Sequence, residues 1–274
     1  MKLLFIGDIC GKPGRELVRR GLAALVSHHQ IDLVIANVEN AAAGFGITPD
    51  LADDLSGYGI AVMTTGNHVW DKKEIYPYIR VNPRLLRPAN FPAGAPGGGS
   101  VVARTAAGDA VGVVNVMGRV FMTALDDPFA IVLREIEAVK REAAVVFVDF
   151  HAEATSEKVA MGWHLDGRVT AIVGTHTHVQ TADERVLPRG TAYITDVGFT
   201  GPHDSVIGVD RNAALSRFVT AMPQRFETAT DNPRLNGVVV TCDPSTGRAS
   251  AIERVNLSMA DLETLAAGAS APRP

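Results

Sequence analysis

The sequence is poor in cysteine, carries little excess charge of either sign and has no long hydrophobic run. Only two of its 274 residues are cysteines, Cys10 and Cys242, which is too few for a disulfide scaffold. Its 26 basic and 30 acidic side chains give a net charge of −4, which argues against a broad basic surface for nucleic acid or anionic membranes. No apolar run approaches the roughly 18 residues that a membrane-spanning helix needs.

The start of the chain has some features of a signal peptide. Its apolar core, however, is about five residues long and ends at Asp8, below the roughly 7–15 residues that such a region needs. We therefore interpret it as the buried first strand of a cytoplasmic protein. Hydrophobic residues make up 46% of the sequence, which is typical of a folded globular protein. We expect a single domain over residues 1–268 and a frayed tail over 269–274.

Strand and helix patterns alternate through the first part of the chain. Short apolar runs predict strands at 2–7, 32–38 and 61–65, with helices between them at 16–29 and 48–57. This βαβαβ order implies parallel strands joined by right-handed crossovers. A stretch rich in proline and glycine, 87–99, predicts a loop. Further strands are predicted at 101–103, 111–116, 144–150, 170–173, 193–195, 237–241 and 251–255, and helices at 127–141 and between 150 and 170.

Residues able to bind metals follow five of the predicted strands. They are Asp8, Glu39, Asn40, Asn67, His151, His176 and His178. Because the carboxyl ends of parallel strands share one edge of a sheet, we expect these side chains to converge there. His176 and His178 belong to a Gly-Thr-His-Thr-His segment, and alternation along an extended segment would send both imidazoles to the same side. We predict no functional role for His28, His29, His164 and His203.

Each candidate has a purely structural explanation when it is taken alone. Asp8 could cap the following helix, Glu39 could be an exposed loop acid, and Asn67 could hydrogen-bond its own backbone in a turn. As a set, two carboxylates, three imidazoles and two amides suit iron, manganese or zinc. Seven candidates indicate two ions about 3.5–4 Å apart, bridged by one carboxylate. Such a pair would keep a positive charge that holds a phosphate group and acidifies a bridging water.

These motifs, in this order, resemble those of calcineurin-like metallophosphoesterases. The Gly66-Asn67-His68 and Gly174–His178 blocks match well. Two blocks differ from the usual motifs of the superfamily: Asp8-Ile9-Cys10 stands in place of Asp-x-His, and Asn37–Asn40 in place of Gly-Asp-x-x-Asp. In these differences the chain resembles one branch, the YmdB-type bacterial phosphodiesterases. Other segments that resemble this branch are Arg87–Asn90, Thr195–Gly198 and Gly201-Pro202. The similarity runs from the first residue to about Val255.

The resemblance implies a fold, an activity and a cofactor. The fold would be a four-layer α/β/β/α sandwich, and the activity would be hydrolysis of phosphodiester bonds, with 2′,3′-cyclic nucleotides as the substrate class. The cofactor would be two divalent or mixed-valence metal ions, iron or manganese. The expected partner is a small phosphodiester substrate, and a homo-oligomer is compatible with the family.

The resemblance also assigns roles to the candidates. Glu39 would bridge both ions, and the remaining ligands would be Asp8, Asn40 and His178 for the first ion and Asn67, His151 and His176 for the second. Asn40 would replace the histidine that is missing at Cys10. His68 would be the general acid, and a metal-bridging hydroxide would be the nucleophile.

Two other functions are compatible with parts of the sequence. A nucleotide-binding Rossmann domain would explain a glycine-containing turn after the first strand, but the spacing of Gly7, Gly11 and Gly14 does not match its fingerprint. A metal-dependent regulator without catalytic activity could use the same ligands. Cys10 is either a soft ligand or a small buried side chain, and we favour the second because Asn40 offers a substitute ligand. Only the resemblance places Asn90 and Asp196 near the site.

Overall fold

Two six-stranded sheets form the framework of the protein. The computed structural model describes residues 1–269. The strands are β1 (Lys2–Ile6), β2 (Leu33–Asn37), β3 (Val62–Thr64), β4 (Ser100–Arg104), β5 (Ala110–Met117), β6 (Val145–His151), β7 (Ala171–Thr175), β8 (Arg185–Val186), β9 (Ala192–Ile194), β10 (Gly201–Pro202), β11 (Pro233–Cys242) and β12 (Ala249–Ser258). The helices are α1 (Gly11–His29), α2 (Pro49–Gly57), α3 (Ile75–Val81), α4 (Pro128–Val139), α5 (Thr155–Leu165), α6 (Arg211–Thr220) and α7 (Met259–Ala269).

The first sheet contains the three strands that begin the chain. β1, β2 and β3 are parallel neighbours, with Leu3 opposite Leu33 and Ile35 opposite Val62. The late strand β11 pairs antiparallel with the other side of β1, and it also pairs with β10 and with its hairpin partner β12. The predicted parallel βαβαβ order is confirmed, and the strands predicted at 237–241 and 251–255 form the hairpin of β11 and β12.

The second sheet has the strand order β4-β5-β6-β7-β9-β8. Its four central strands are parallel, and the two edge strands run antiparallel to their neighbours. The carboxyl ends of β6 and β7 are thus neighbours, with His151 in register with Thr175.

The alternation of side chains along each strand gives both sheets two apolar faces. In β1, Leu3 and Phe5 face the second sheet, whereas Leu4 and Ile6 face the helices. The ring of Phe5 stacks on the ring of Phe147 from β6, with centroids 5.4 Å apart. Side chains of α1, α2, α3 and α7 cover the outer face of the first sheet, and those of α4 and α5 cover the second. The predicted α/β class is confirmed, and this packing agrees with the predicted α/β/β/α layers.

Most predicted elements are present, including the loop over 87–99 and α2, where the hydroxyl of Thr48 accepts from the backbone N–H of Leu51. Within residues 1–269, three helices were not predicted, namely α3, α6 and α7. α3 is short and contains a proline, and α6 buries only Ala214, so α6 has no apolar stripe. The predicted tail over 269–274 lies outside the described residues except for its first residue, and the single domain stays a prediction. No helix within residues 1–269 is both long and apolar enough to cross a bilayer.

Replacing Phe147 with alanine is expected to destabilise the protein, because it removes a ring that fills the layer between the sheets. Such substitutions at fully buried phenylalanines cost about 3–5 kcal/mol of unfolding free energy, which urea unfolding can measure. Phe218→Ala is the matched control, since Phe218 is 80% exposed on α6 and its loss should cost less than about 0.5 kcal/mol. Equal costs for the two variants would contradict the assigned layer.

Candidate functional site

The site forms where the apolar layer between the sheets ends. In β6, Val145 and Phe147 lie within that layer, and alternation places Asp149 and His151 on the same face further along the strand. Both polar side chains are fully buried. Strands of both sheets end here, which corrects the expectation that the candidates share the edge of one sheet. Asp8, Glu39, Asn40 and Asn67 follow strands of the first sheet, and the histidines 151, 176 and 178 belong to the second.

A group of four side chains is centred on His151. Its Nε2 atom lies 2.9 Å from Oε1 of Glu39 and 3.1 Å from Nδ1 of His176. Oδ1 of Asn67 lies 2.9 Å from the same nitrogen. The ligand atoms of Glu39, His151 and His176 all lie within 4.8 Å of one another. A ring nitrogen that carries one proton can donate only one hydrogen bond, so it cannot bond to all three neighbouring atoms. A cation placed between the four side chains could bind a ligand atom from each of them.

The remaining candidates lie next to this group. Oδ2 of Asp8 accepts from the backbone N–H of His176 at 3.4 Å, and its Oδ1 lies 3.9 Å from Nδ1 of His151. Asn40 and His178 line one pocket together with Glu39 and His176. The structure therefore brings all seven predicted ligands into one neighbourhood, although they come from distant parts of the chain.

Two buried side-chain oxygens that lack hydrogen-bond partners indicate whether these residues fit metal ions. Oδ1 of Asp8 and Oδ1 of Asn40 are buried and have no hydrogen-bond partner among the described residues. Buried oxygens without a partner are rare in folded proteins. Carboxylate, amide and imidazole donors together suit divalent ions of intermediate softness. The residues present therefore fit the metal ions that the family implies.

Burial and mutual charge determine the protonation of the group. Burial and the charge of His151 lower the pKa of His176 to about 3, so this imidazole is neutral and can bind a cation through its lone pair. Burial raises the pKa of Asp8. Burial also opposes the charges of Glu39 and His151, but their mutual attraction outweighs it. The pKa of Glu39 is lowered to about 2, and that of His151 is raised to about 9.

Two motif glycines leave the space that the site needs. A Cβ atom on Gly66 would lie 2.1 Å from Cδ2 of His151. A Cβ atom on Gly174 would lie 1.8 Å from the carbonyl oxygen of Thr195. Both distances are far below van der Waals contact. Gly66 therefore leaves room for the ring of His151, and Gly174 lets β7 lie close to the segment after β9.

The segment that carries His176 and His178 is bent, which corrects the prediction of an extended segment. β7 ends at Thr175, and the φ angles of His176 and His178 are 95° and 65°. Positive φ is unfavourable for residues other than glycine and persists only where surrounding contacts hold the backbone. The two imidazoles thus reach one pocket through a left-handed bend and not through strand alternation.

A buried ion pair holds the middle of this bend. Oδ2 of Asp196 accepts from the hydroxyl of Thr177 at 2.6 Å and from its backbone N–H at 3.2 Å. Nζ of Lys158, a side chain that is only 2% exposed, donates to the same oxygen at 2.7 Å. Because Thr177 separates the two histidines, Asp196 and Lys158 support both of them.

A second buried network joins the two sheets beside His151. The carboxylate of Asp149 accepts from Asn37 at 3.1 Å and from Thr64 at 2.5 Å, both in the first sheet. It also accepts from the hydroxyl of Thr175 at 2.8 Å, and that hydroxyl lies 2.9 Å from Nδ1 of His151. Burial raises the pKa of Asp149 to about 7. A cation bound at Nε2 would displace the proton from that nitrogen, and this chain of hydrogen bonds would keep the remaining proton of His151 on Nδ1.

His68 lies beside the predicted ligands and is tied at two points. Its backbone N–H donates to Oε2 of Glu39 at 2.9 Å. Its Nδ1 atom lies 2.8 Å from Oδ2 of Asp71, and its side chain lines the pocket. Asp71 therefore fixes the ring so that Nε2 is left to interact with a ligand.

Cys10 and Asn90 both lie in closely packed surroundings. Burial and Asp8 raise the pKa of the Cys10 thiol to about 12, and a Cβ atom on Gly208 would lie 2.9 Å from its sulfur. Cys10 is thus packed into the pocket wall, and its role as a small buried side chain stays a prediction. Asn90 bonds only to backbone groups of Met117 and Asp126, so it anchors the loop over 87–99 to β5.

Comparison with known proteins identifies the family. The family model described as YmdB-like protein matches residues 4–255. The chain belongs to the YmdB-like family. A Bacillus subtilis (strain 168) protein named 2′,3′-cyclic-nucleotide 2′-phosphodiesterase is 49% identical over 255 residues, which cover 93% of this chain and 96% of that protein.

Two solved structures are similar over almost the whole chain. A hypothetical protein from Thermus thermophilus has a TM-score of 0.87 and 42% identity, and the match covers 94% of this chain and 99% of that one. A protein described as a novel phosphatase from Mycoplasma pneumoniae has a TM-score of 0.88 and 36% identity, covering 94% and 93%. The predicted family, its YmdB-type branch and the predicted class of phosphoric ester hydrolase are confirmed. The role of each site residue stays a prediction.

Sequence analysis missed residues that support the site in this YmdB-like protein. Asp149 had a usable signal, because a carboxylate inside the apolar strand VVFVDFH needs buried partners. Asp71 lies three residues after His68, a spacing that allows contact within a turn. Lys158 gave no signal, since a lysine on a helix is normally exposed.

The Asp196→Asn substitution is expected to destabilise the protein strongly, because it leaves the ammonium of Lys158 buried without a counter-ion. Removing one partner of a buried pair typically costs about 3–5 kcal/mol. Urea unfolding of the single variant and of Asp196→Asn/Lys158→Met would measure the cost, and the double variant should recover part of it. A double variant less stable than the single one would contradict the pairing.

Proposed function

We propose that this protein is a dinuclear metal-dependent phosphodiesterase that hydrolyses small phosphodiesters, with 2′,3′-cyclic nucleotides as the substrate class. The observation that carries the proposal is the meeting of Glu39, His151 and His176 within 4.8 Å, beside two buried oxygens without partners. The name of the Bacillus subtilis relative supports the choice of substrate class. Iron or manganese as the metal, a cytoplasmic location and a homo-oligomer stay predictions.

The seven ligands divide into two sets that share Glu39. Asp8, Asn40 and His178 would hold one ion, and Asn67, His151 and His176 would hold the other. Divalent ions bound there supply positive charge for the phosphoryl oxygens and lower the pKa of a coordinated water. Glu39 is suited to the shared position, because it is buried and carries a full negative charge even when its surroundings exclude water.

His68 is the residue placed to protonate the leaving group. The alkoxide of a ribose is a poor leaving group and needs a proton as it departs. An imidazole ring can both hold and release a proton, which suits it to this role. Asp71 holds Nδ1, and the backbone bond to Glu39 fixes the distance between this ring and the predicted ligands.

The two alternative functions receive less support. The buried carboxylate of Asp8 lies directly after β1, where a Rossmann domain would place a pyrophosphate, and like charges repel there. A regulator without turnover would use the same ligands but would not need His68 in the pocket. An assay of diester hydrolysis on metal-loaded protein separates this alternative from the proposal.

Glu39→Gln is expected to lose at least one metal ion per chain and nearly all activity while keeping the fold. The amide preserves the shape of the side chain but removes the charge that offsets repulsion between two cations. Elemental analysis of protein purified without added metal, together with circular dichroism, measures both effects. Glu137→Gln, an exposed glutamate on α4, is the control and should behave as the wild type. Full metal content with normal turnover in Glu39→Gln would refute the shared ligand.

His68→Ala is expected to keep its metal and to lose more activity on substrates whose leaving group needs a proton. General acid catalysis typically contributes about 10²–10⁴-fold, so hydrolysis of a ribose 2′,3′-cyclic phosphate should fall by that order. Hydrolysis of a 4-nitrophenyl diester should fall far less, because a phenolate leaves without a proton. His28→Ala, an exposed histidine on α1, is the control. Equal losses on both substrates, or a loss of metal, would assign His68 to positioning instead.

A further inference from the structure

The pocket beside the predicted ligands is lined by both polar and apolar side chains. Its polar lining includes Glu39, Asn40, His176, His178 and Glu227, and its apolar lining includes Phe45, Ile207 and Val209. The catalytic proposal uses only polar side chains. A cyclic nucleotide also has both kinds of surface, since its phosphate is charged and its base presents two apolar faces.

Phe45 is held at a fixed distance from a predicted ligand. It follows β2 in a turn where Gly44 and Gly46 both have positive φ. The side chain of Asn40 donates to the carbonyl oxygen of Gly44 at 2.8 Å, and the backbone N–H of Gly44 donates to the carbonyl oxygen of Asn40 at 3.0 Å. The ring of Phe45 contacts the ring of His68 edge to face, with centroids 5.1 Å apart. The ring is thus preorganised beside the predicted general acid.

Ile207 is tied to the site in a similar way from another part of the chain. Its carbonyl oxygen lies 2.9 Å from Nδ1 of His178, which leaves Nε2 of that histidine for a cation. Its φ angle is 47°, an unfavourable value for a β-branched residue, and its side chain is 53% exposed. Reciprocal backbone bonds between Val206 and Val209, at 2.9 and 3.0 Å, close the turn around it. Backbone strain combined with an exposed apolar side chain does not favour stability, so a role in binding explains it better.

We propose that Phe45 and Ile207 form the subsite for the nucleobase of the substrate. This inference rests on the proposed phosphodiesterase function and adds the part of the pocket that recognises a nucleoside. The base packs on the Phe45 ring and against Ile207, while the phosphate reaches the predicted metal ligands. Stacking on an aromatic ring accepts every base, so the subsite selects for a base but discriminates weakly between adenine, guanine, cytosine and uracil.

The test compares two substrates that share the reacting ring. One is adenosine 2′,3′-cyclic phosphate, and the other is methyl riboside 2,3-cyclic phosphate, which has no base. Phe45→Ala should lower kcat/KM for the first by about tenfold or more, mainly through KM, which is the scale of one base–aromatic stack. For the second substrate it should change kcat/KM by less than about twofold. Ile207→Ala should act in the same direction, and Phe45→Trp should retain the wild-type preference.

Phe218→Ala, an exposed phenylalanine on α6, is the matched control. Equal losses on both substrates would overturn the proposal, because Phe45 would then act through His68 or the ligand loop. Unchanged kinetics on both would overturn it as well.

A binding measurement tests the base subsite independently of the proposed phosphodiesterase activity. Calorimetry would compare adenosine 3′-monophosphate with methyl riboside 3-phosphate on metal-loaded protein. If the wild type hydrolyses neither cyclic phosphate, the phosphodiesterase proposal fails, but a loss of affinity in Phe45→Ala that is confined to the adenosine compound still supports the subsite. Equal affinities of the wild type for the two compounds would overturn it.

Discussion

The contact between the two sheets determines the geometry of the site, because Glu39 and His151 belong to different sheets and lie 2.9 Å apart. Phe5 and Phe147 set the separation of the sheets in the apolar part of the layer. At its polar end, Asp149 bonds to strands of both sheets. Hydrogen bonds are short and directional, so this network fixes the sheets against sliding where the ligands meet.

The local parts of the fold were predictable and the long-range parts were not. Short apolar runs and the helical pattern that begins at Thr48 are signals within a few residues, and they correctly predicted the first three strands and α2. The pairing of β11 with β1 joins residues at opposite ends of the chain, and no local pattern encodes it. α6 was missed because only Ala214 is buried, so the helix has no apolar stripe to detect.

The same distinction applies to the site. The seven ligand candidates and His68 could be found because they follow strands, and the ends of parallel strands converge. The bend at His176 and His178 could not, since it depends on Asp196 and Lys158 from other elements. A search for metal ligands does not find the supporting residues, because they hydrogen-bond to other residues and do not bind the ion. Asp149 is the exception, as its charge contradicts the apolar strand around it.

The position of β1 has a consequence for the order of events during synthesis. Asp8 follows its end, and it lies between β2, the next strand along the chain, and β11, which is made about 200 residues later. Until residues 233–242 emerge, one side of β1 is an unpaired edge, and Gly7 lacks its backbone bond to Asn236. The ligands from both sheets are translated well before that point. The site can therefore acquire its final form only after residues 233–242 have left the ribosome.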